Sequence, residues 1–302
     1  MRNALVLILP LTLAACGGGG SPSGPTPGPT ATPTPGTQSV SVRVFSGWDD
    51  MPIAGAVIVT PAGRVTTNST GEVSMSLRSG DAVDISAPGH RDFNTAYRGE
   101  GPWNVYLWDT SHVSGAYIDA LVYNEWGPGR RLSRPAAGAI GLAPSAEISA
   151  DAQAMNVINA CAGEMTAATQ RASVSVGGAG TQFALLIDPA LASVGSTGNA
   201  FTGNIVSSTR VRFKDLAAAS GRAMCHELGH GLGLGHSLDL RDTMSVTGGQ
   251  GGNRFSSFEA YVFRMMFRRR PGTSAPDNDR DVTAALSMAH SVVEIECPLL
   301  RH

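Results

Sequence analysis

Of the 22 lysine and arginine residues in this 302-residue chain only one, Lys214, is a lysine, and cysteine occurs four times. The lysine shortage, beside abundant Ala and Gly, reads as genomic base composition rather than function. Charge of either sign is not in excess: the formal net charge is −2, which argues against nucleic acid as a partner. The run Arg268-Arg269-Arg270 reads as a solvated helix C-terminus, favoured by the macrodipole. No oligomer is expected. The apolar run at 4–15 is too short to span a bilayer. Residues 17–37 hold neither charge nor a large apolar side chain, so they cannot bury a core and are expected to be disordered. Their prolines favour an extended stalk with a reach on the order of 65 Å.

What is present centres on residues 226–236, H-E-L-G-H-G-L-G-L-G-H. On a helix of about 3.6 residues per turn His226 and His230 share a face, and two imidazoles so placed can chelate one Zn²⁺ at about 2.0–2.1 Å each. Glu227 points about 100° round the helix, where it can reach a water at the metal without being a ligand. His236 joins the site only if the helix breaks, and Gly233 is placed to break it with a left-handed backbone. Three histidine ligands leave the fourth tetrahedral position open, as catalytic zinc sites require. The full pattern arises by chance at roughly one start position in ten million. Gly229, Gly231, Gly233 and Gly235 also cost a helix roughly 1 kcal/mol each where they fall inside it, which selection for stability alone would avoid.

The motif HExxHxxGxxH, followed by Asp242-Thr243-Met244-Ser245, resembles that of the metzincin zinc endopeptidases. The resemblance implies that Met244 is the Met-turn methionine beneath the metal. Ser237 after the third histidine and the short gap to Met244 are most similar to the matrixin branch. Val246 stands where astacins and serralysins carry a tyrosine, so no tyrosine ligand is expected, and the usual matrixin proline after the Met-turn is missing. No matrixin-like cysteine switch precedes the site, since Cys16 is the one upstream thiol. The resemblance is sharp over 226–246 and looser over the rest of 113–302.

Met1-Arg2-Asn3, the apolar run and Leu13-Ala14-Ala15-Cys16 resemble a bacterial lipoprotein signal peptide with its lipobox. That similarity implies a signal peptide over 1–15 and a lipidated Cys16 opening the linker 16–37, with Gly17 favouring the outer membrane or cell surface. A multiply acylated Cys16 would anchor the chain to the membrane. Among Cys161, Cys225 and Cys297 one disulfide can form, and all three pairings stay open. Cys225, about 100° off the His226 face, reads as buried core rather than a ligand.

Residues 38–112 show short alternating strands: Val40, Val42 and Val44, then 56–59, then Val73, Met75 and Leu77 after the turn Asn68-Ser69-Thr70-Gly71. The spacing predicts an all-β sandwich. The stretch from Pro52 to His90 resembles the carboxypeptidase regulatory-like, transthyretin-like fold, in which such a module is mostly a spacer or binding surface. His90 and Asp92 read as turn residues.

In 113–302 the expected class is α+β, a mixed sheet with two main helices as in the metzincin-type zincin fold. Residues 117–124 are expected as the first strand, and 149–170 as a helix capped by Ser149 with Ala154, Ile158, Cys161, Ala162 and Met165 inward. Strands are expected at 183–187 and 205–213, and the zinc helix from near 216–220. An edge strand near 193–201 is expected to be able to pair with extended substrate. After a Gly-rich loop at 248–252, Ser256 and Glu259 have capping-box spacing, and Phe258, Tyr261, Val262 and Met265 share a face. Asp277-Asn278-Asp279-Arg280-Asp281 resembles a calcium loop only faintly, lacking the Gly and distal Glu of an EF-hand. It reads as the start of a last helix to about residue 290, and calcium has no further support.

These readings converge on an exported zinc endopeptidase. His226, His230 and His236 hold one Zn²⁺, Glu227 is the general base, and a protein or peptide is the substrate. The alternative is a surface-anchored adhesion protein in which the sandwich binds and the zincin part is inert.

Overall fold

The computed structural model describes residues 36–124, 130–246, 254–280 and 291–296. The expected signal peptide, Cys16, most of the linker, the loop at 248–252, the last helix over 281–290 and Cys297 lie outside the described residues.

Seven strands open the described chain: β1 (Gln38–Ser46), β2 (Val57–Thr60), β3 (Gly63–Thr66), β4 (Glu72–Leu77), β5 (Ala82–Ser86), β6 (Phe93–Ala96) and β7 (Trp103–Leu107). They form two sheets, in the orders β4-β1-β7 and β3-β2-β5-β6. Successive strand side chains point to opposite faces, so Val40, Val42 and Val44 turn inward together. They share one apolar cluster with Leu77, Val105 and Leu107 of their own sheet and Ile58, Val83, Ile85 and Phe93 of the other. Each such burial contributes about 1.5–3 kcal/mol. The Asn68–Gly71 turn needs its glycine: Gly71 has φ +72°, and a Cβ there would lie 2.7 Å from the Val44 carbonyl oxygen.

The chain continues through α1 (Gly115–Val122), β8 (Arg134–Pro135), β9 (Gly138–Pro144), α2 (Ala146–Ala150), α3 (Ala152–Thr169), β10 (Ala172–Val176), β11 (Thr181–Ile187), β12 (Gly195–Thr202), β13 (Ile205–Phe213), α4 (Leu216–Ala219), α5 (Ala223–Gly231), α6 (Ser257–Arg268) and β14 (Ser291–Glu296). The second sheet system runs β10-β9-β11-β13-β12-β14, with β8 also beside β13. Strands β9, β10, β11 and β13 are parallel, while β12 lies antiparallel between β13 and β14. No helix among the described residues is long and apolar enough to cross a membrane.

Several elements differ from expectation. Residues 117–124 form helix α1 and the turn after it, not a strand: the Ser114 hydroxyl accepts from the Tyr117 N–H, and Tyr117, Ile118, Leu121 and Val122 are buried at helical spacing. The sheet's first strand in the chain is instead the two-residue β8, parallel to β13, followed by β9. Ser149 caps nothing. Ser145 caps α2 and Asp151 caps α3, whose buried stripe is Ala154, Ile158, Cys161, Ala162, Met165 and Thr169. The zinc-motif helix does not run from 216–220, because α4 stops at Ala219 and α5 restarts at Ala223. Cys161 and Cys225 form a disulfide that ties α3 to α5, so Cys225 is a buried bridge rather than plain core.

The boundary near residue 112 separates two apolar clusters but not two bodies, for Gly36–His302 is one compact unit. Helix α6 does much of the joining. Arg264 donates to the main-chain oxygens of Gly47 (2.8 Å) and Trp48 (2.5 Å), and the Asp109 N–H donates to the Tyr261 hydroxyl at 2.6 Å. The arginine run is not a solvated helix end. Arg268 pairs with Asp50 at 2.7 Å, and the fully buried Asp277 holds Arg269 at 2.8 Å. Asp277 itself lies in a turn, and both of its carboxylate oxygens accept from Arg269.

Candidate metal centre

Every residue of α5 is buried, and its glycines are there because neighbours come too close for a side chain. A Cβ at Gly229 would meet the Met244 sulfur at 2.4 Å, and one at Gly231 the Phe183 ring at 2.6 Å. Gly233 combines φ +98° with a Cβ position 1.8 Å from the Ser133 carbonyl oxygen, so both backbone and space demand glycine. The helix ends at Gly231, and the chain turns at Gly233. Gly235 then donates to the Leu121 carbonyl at 2.7 Å, which steers His236 back toward the helix.

The ligand atoms of His226, His230 and His236 all lie within 4.8 Å of one another, the one such cluster among the described residues. His90 and Asp92 do not join it. The rings of His226 and His236 are 5.4 Å apart and those of His230 and His236 4.8 Å. Backbone carbonyls fix both tautomers. Nδ1 of His226 lies 2.7 Å from the Thr243 oxygen and Nδ1 of His230 lies 2.8 Å from the Leu234 oxygen. A carbonyl can only accept, so each Nδ1 carries the hydrogen and each Nε2 is left with a lone pair. Those two Nε2 atoms face each other at 3.1 Å, close to the about 3.3–3.4 Å between tetrahedral ligands on one zinc. Two lone pairs so placed fit a cation between them, and carbonyl-oriented histidines are the usual support for such a site.

Burial lowers the His226 pKa to about 4, against the pull of its Thr243 hydrogen bond, and lowers that of His236 to about 4, helped by the nearby His226. Burial also drives His230 well below the ordinary value. Neutral imidazoles at pH 7 are the form a metal requires.

Glu227 is fully buried. Thr197 of β12 donates to its Oε2 at 2.6 Å and is also 3.0 Å from its main-chain oxygen. Gly195 leaves room for the same carboxylate, since a Cβ there would lie 2.6 Å from Oε1. Asn199, two residues further along β12, donates to the His230 carbonyl at 2.9 Å and accepts from Thr209 at 2.7 Å. One strand thus supports two positions of the helix, Glu227 and His230. None of Gly195, Thr197 and Asn199 was recognisable from sequence, because only the register of β12 against α5 brings them there.

Met244 is fully buried against Gly229, between the first two histidines. Its turn is held from α6: Glu259 accepts from the Met244 N–H at 2.7 Å, the Thr243 N–H at 3.3 Å and the Ser256 N–H at 2.7 Å. The capping box is present, and the same carboxylate also grips the methionine turn, a role its spacing did not disclose. Asp242 accepts from both Tyr117 and Ser237, tying α1 to this loop. Val246 is partly exposed and supplies no ligand.

The edge of β12 is not open. Over Ser196 to Phe201 it is paired with β14, whose Ile295 shares a small space with His230 and Leu234. This corrects the expectation of a free edge at 193–201.

No protein family matches the chain, and no curated protein sequence matches it. Among solved structures, a GH20 exo-β-N-acetylglucosaminidase from Vibrio harveyi in complex with N-acetylglucosamine aligns at 7% identity and a TM-score of 0.23. An inactive mutant of that enzyme aligns at 10% identity and a TM-score of 0.22. Each alignment covers 64% of this chain and 36% of the other. Likeness at this level carries no argument about fold or function.

Proposed function

We propose that the chain is a zinc-dependent endopeptidase of the metzincin kind, acting on proteins or peptides outside the cytoplasm. The observation that carries the reading is the pair of Nε2 atoms 3.1 Å apart on His226 and His230, with His236 beside them and Glu227 next in sequence. Zinc, when bound, supplies Lewis acidity, which acidifies a water and polarises a carbonyl oxygen. His226, His230 and His236 would hold it. Glu227 takes the proton of the attacking water and hands it to the leaving nitrogen, general base and then general acid. Thr197 keeps that carboxylate aimed, and burial of the whole helix limits competing solvent. Helix α5 ends at the site, so the negative pole of its dipole favours a cation there. Met244 packs under the helix between the ligands and fixes their spacing.

Export is part of the same proposal. The Cys161–Cys225 disulfide belongs to an oxidising compartment, consistent with a chain carried out of the cell and tethered through Cys16.

The test is Glu227→Gln in the full chain, assayed on unfolded casein with zinc content measured in parallel. Loss of at least about 100-fold in rate with zinc retained is expected, and a chelator should abolish the wild-type activity. Wild-type cleavage by the Gln variant would overturn the mechanism, and a zinc-replete wild type inert on every polypeptide tried would return the adhesion reading.

A further inference from the structure

Away from the histidines, a cavity of about 430 Å³ opens where the edge of the N-terminal sheets meets the end of α6. Its lining includes six arginines, Arg98, Arg134, Arg171, Arg268, Arg269 and Arg270, and two acids, Glu100 and Asp279. None of the metal-site histidines, nor Glu227, lines it.

The arginines are unequally neutralised. Arg269 is committed to the buried Asp277, and Arg268 to Asp50 while its guanidinium lies 3.8 Å from the centre of the Tyr106 ring. Arg98 donates to the Asp279 main-chain oxygen at 3.0 Å and reaches the Asp279 carboxylate only at 3.7 Å, and Arg270 has Glu100 at 3.6 Å. Arg134 is 6% exposed and donates to three main-chain oxygens, those of Met266, Pro135 and Arg269. The described residues give neither Arg134 nor Arg171 a carboxylate. Burial, together with the charge of Arg171, lowers the Arg134 pKa to about 10, and burial with the repulsion of Arg98 lowers that of Arg270. Positive charge is thus concentrated here without enough negative charge to answer it. Arg134 is buried, whereas Arg171 is exposed and Arg98 and Arg270 are partly exposed, so these three can be reached by an anion.

The shape and the remaining walls narrow the anion. The volume falls in the range of small-molecule sites, roughly 300–1,000 Å³. Trp103 is half-buried on the wall, with Tyr97 tilted beside it at 5.9 Å, which offers a flat apolar surface. Arg98, Arg171 and Arg270 line one cavity together, and its volume leaves room for a scaffold that carries anionic groups as well as for the groups themselves. Glu100 and Asp279 repel bare anions but accept hydrogen bonds from hydroxyls, which a sugar presents.

We propose that this cavity binds an anionic sugar of one or two rings, its sulfate or carboxylate groups held by Arg98, Arg171 and Arg270 and one ring face lying on Trp103. Guanidinium forks match such oxyanions in geometry. The site needs neither zinc nor peptidase activity.

Calorimetric titration of the full chain decides it, with four probes: a sulfated disaccharide, a uronate-containing disaccharide, inorganic sulfate and a nucleoside monophosphate. One of the two disaccharides should bind most tightly, quench Trp103 fluorescence, and lose about tenfold or more in affinity in Arg98→Ser and Arg270→Ser. Both side chains are partly exposed, so the variants should keep the wild-type melting temperature, and Trp103→Phe should retain most of the affinity. Binding should be unchanged in Glu227→Gln. The inference is overturned if no disaccharide binds, if both arginine variants bind like wild type while folded, if sulfate alone matches the sugars, or if the nucleotide outcompetes them.

Discussion

The hydroxyl of Thr197, on an antiparallel strand, donates to the carboxylate of Glu227, on the histidine helix, at 2.6 Å. Because the same hydroxyl also lies 3.0 Å from the Glu227 main-chain oxygen, it fixes both the side chain and the helix turn that carries it. Thr197→Val keeps shape and removes the donor. On the proposed peptidase function, the expected result is a fall in kcat of about tenfold with zinc content and KM little changed, and restoration by Thr197→Ser. A buried hydrogen bond to a charged group is worth about 1.5–3 kcal/mol, which sets that scale. Equal kcat in the Val and wild-type enzymes would leave Thr197 with a packing role only.

Glu259 offers a test through pH. Burial raises its pKa from 4.5 to about 7, opposed by the N–H groups of Ser256, Met244 and Thr243. A carboxyl with a raised folded pKa binds more protons folded than unfolded between those values, so its contribution to stability falls as pH rises from about 4.5 to about 7. The drop is on the order of 3 kcal/mol. Glu259→Gln cannot titrate. Plotting the difference in unfolding free energy between wild type and variant against pH removes the histidines from the comparison, and the slope should be confined to that window. A flat difference would mean that Glu259 ionises as it does in the unfolded chain.

The histidine cluster was legible in the sequence because its spacing is local. Helical periodicity alone aligns His226 with His230, and one glycine, Gly233, turns the chain toward His236. The strand at 205–213 and the box of Ser256 with Glu259 are likewise written within one element. Residues 117–124 were misread as a strand because a short apolar run suits a buried strand and a buried helix equally. The Ser114 cap, outside that window, decides it. Arg269 looked like a solvated helix end, and its partner Asp277 becomes visible only once the following chain folds back. Thr197 and Asn199 were invisible for the same reason, since sheet register carries them across 30 residues or so to the helix.

The Cys161–Cys225 bridge spans 64 residues and joins α3 to the residue beside the first histidine. Closing a loop of that size stabilises by about 4 kcal/mol in the chain-entropy account. Cys161→Ala with Cys225→Ala should therefore lower the unfolding free energy by about 2–4 kcal/mol, measured by denaturant titration. Treating the wild type with a reductant should give the same loss. If reduction leaves the denaturant midpoint unmoved, the bridge is not formed in the folded protein.

Strand β14 can be tested for whether it is exchangeable. It pairs with β12 over Ser291–Glu296 along the side of the strand whose other side holds β13, and Ile295 reaches the neighbourhood of His230. Ending the chain after residue 290 uncovers main-chain donors and acceptors along β12, and an open edge recruits any extended chain. The shortened protein should self-associate at concentrations where the full chain does not. It should also bind an added S-V-V-E-I-E peptide that the full chain ignores. The peptide ought to suppress the self-association in proportion to its occupancy, since both compete for one edge. A scrambled peptide of the same composition controls for charge, because the register pairs Thr197 with Ile295 and only the native order buries that side chain beside the helix. If the shortened chain stays monomeric and takes up neither peptide, the edge closes without β14, and the strand is a cover rather than a partner for β12.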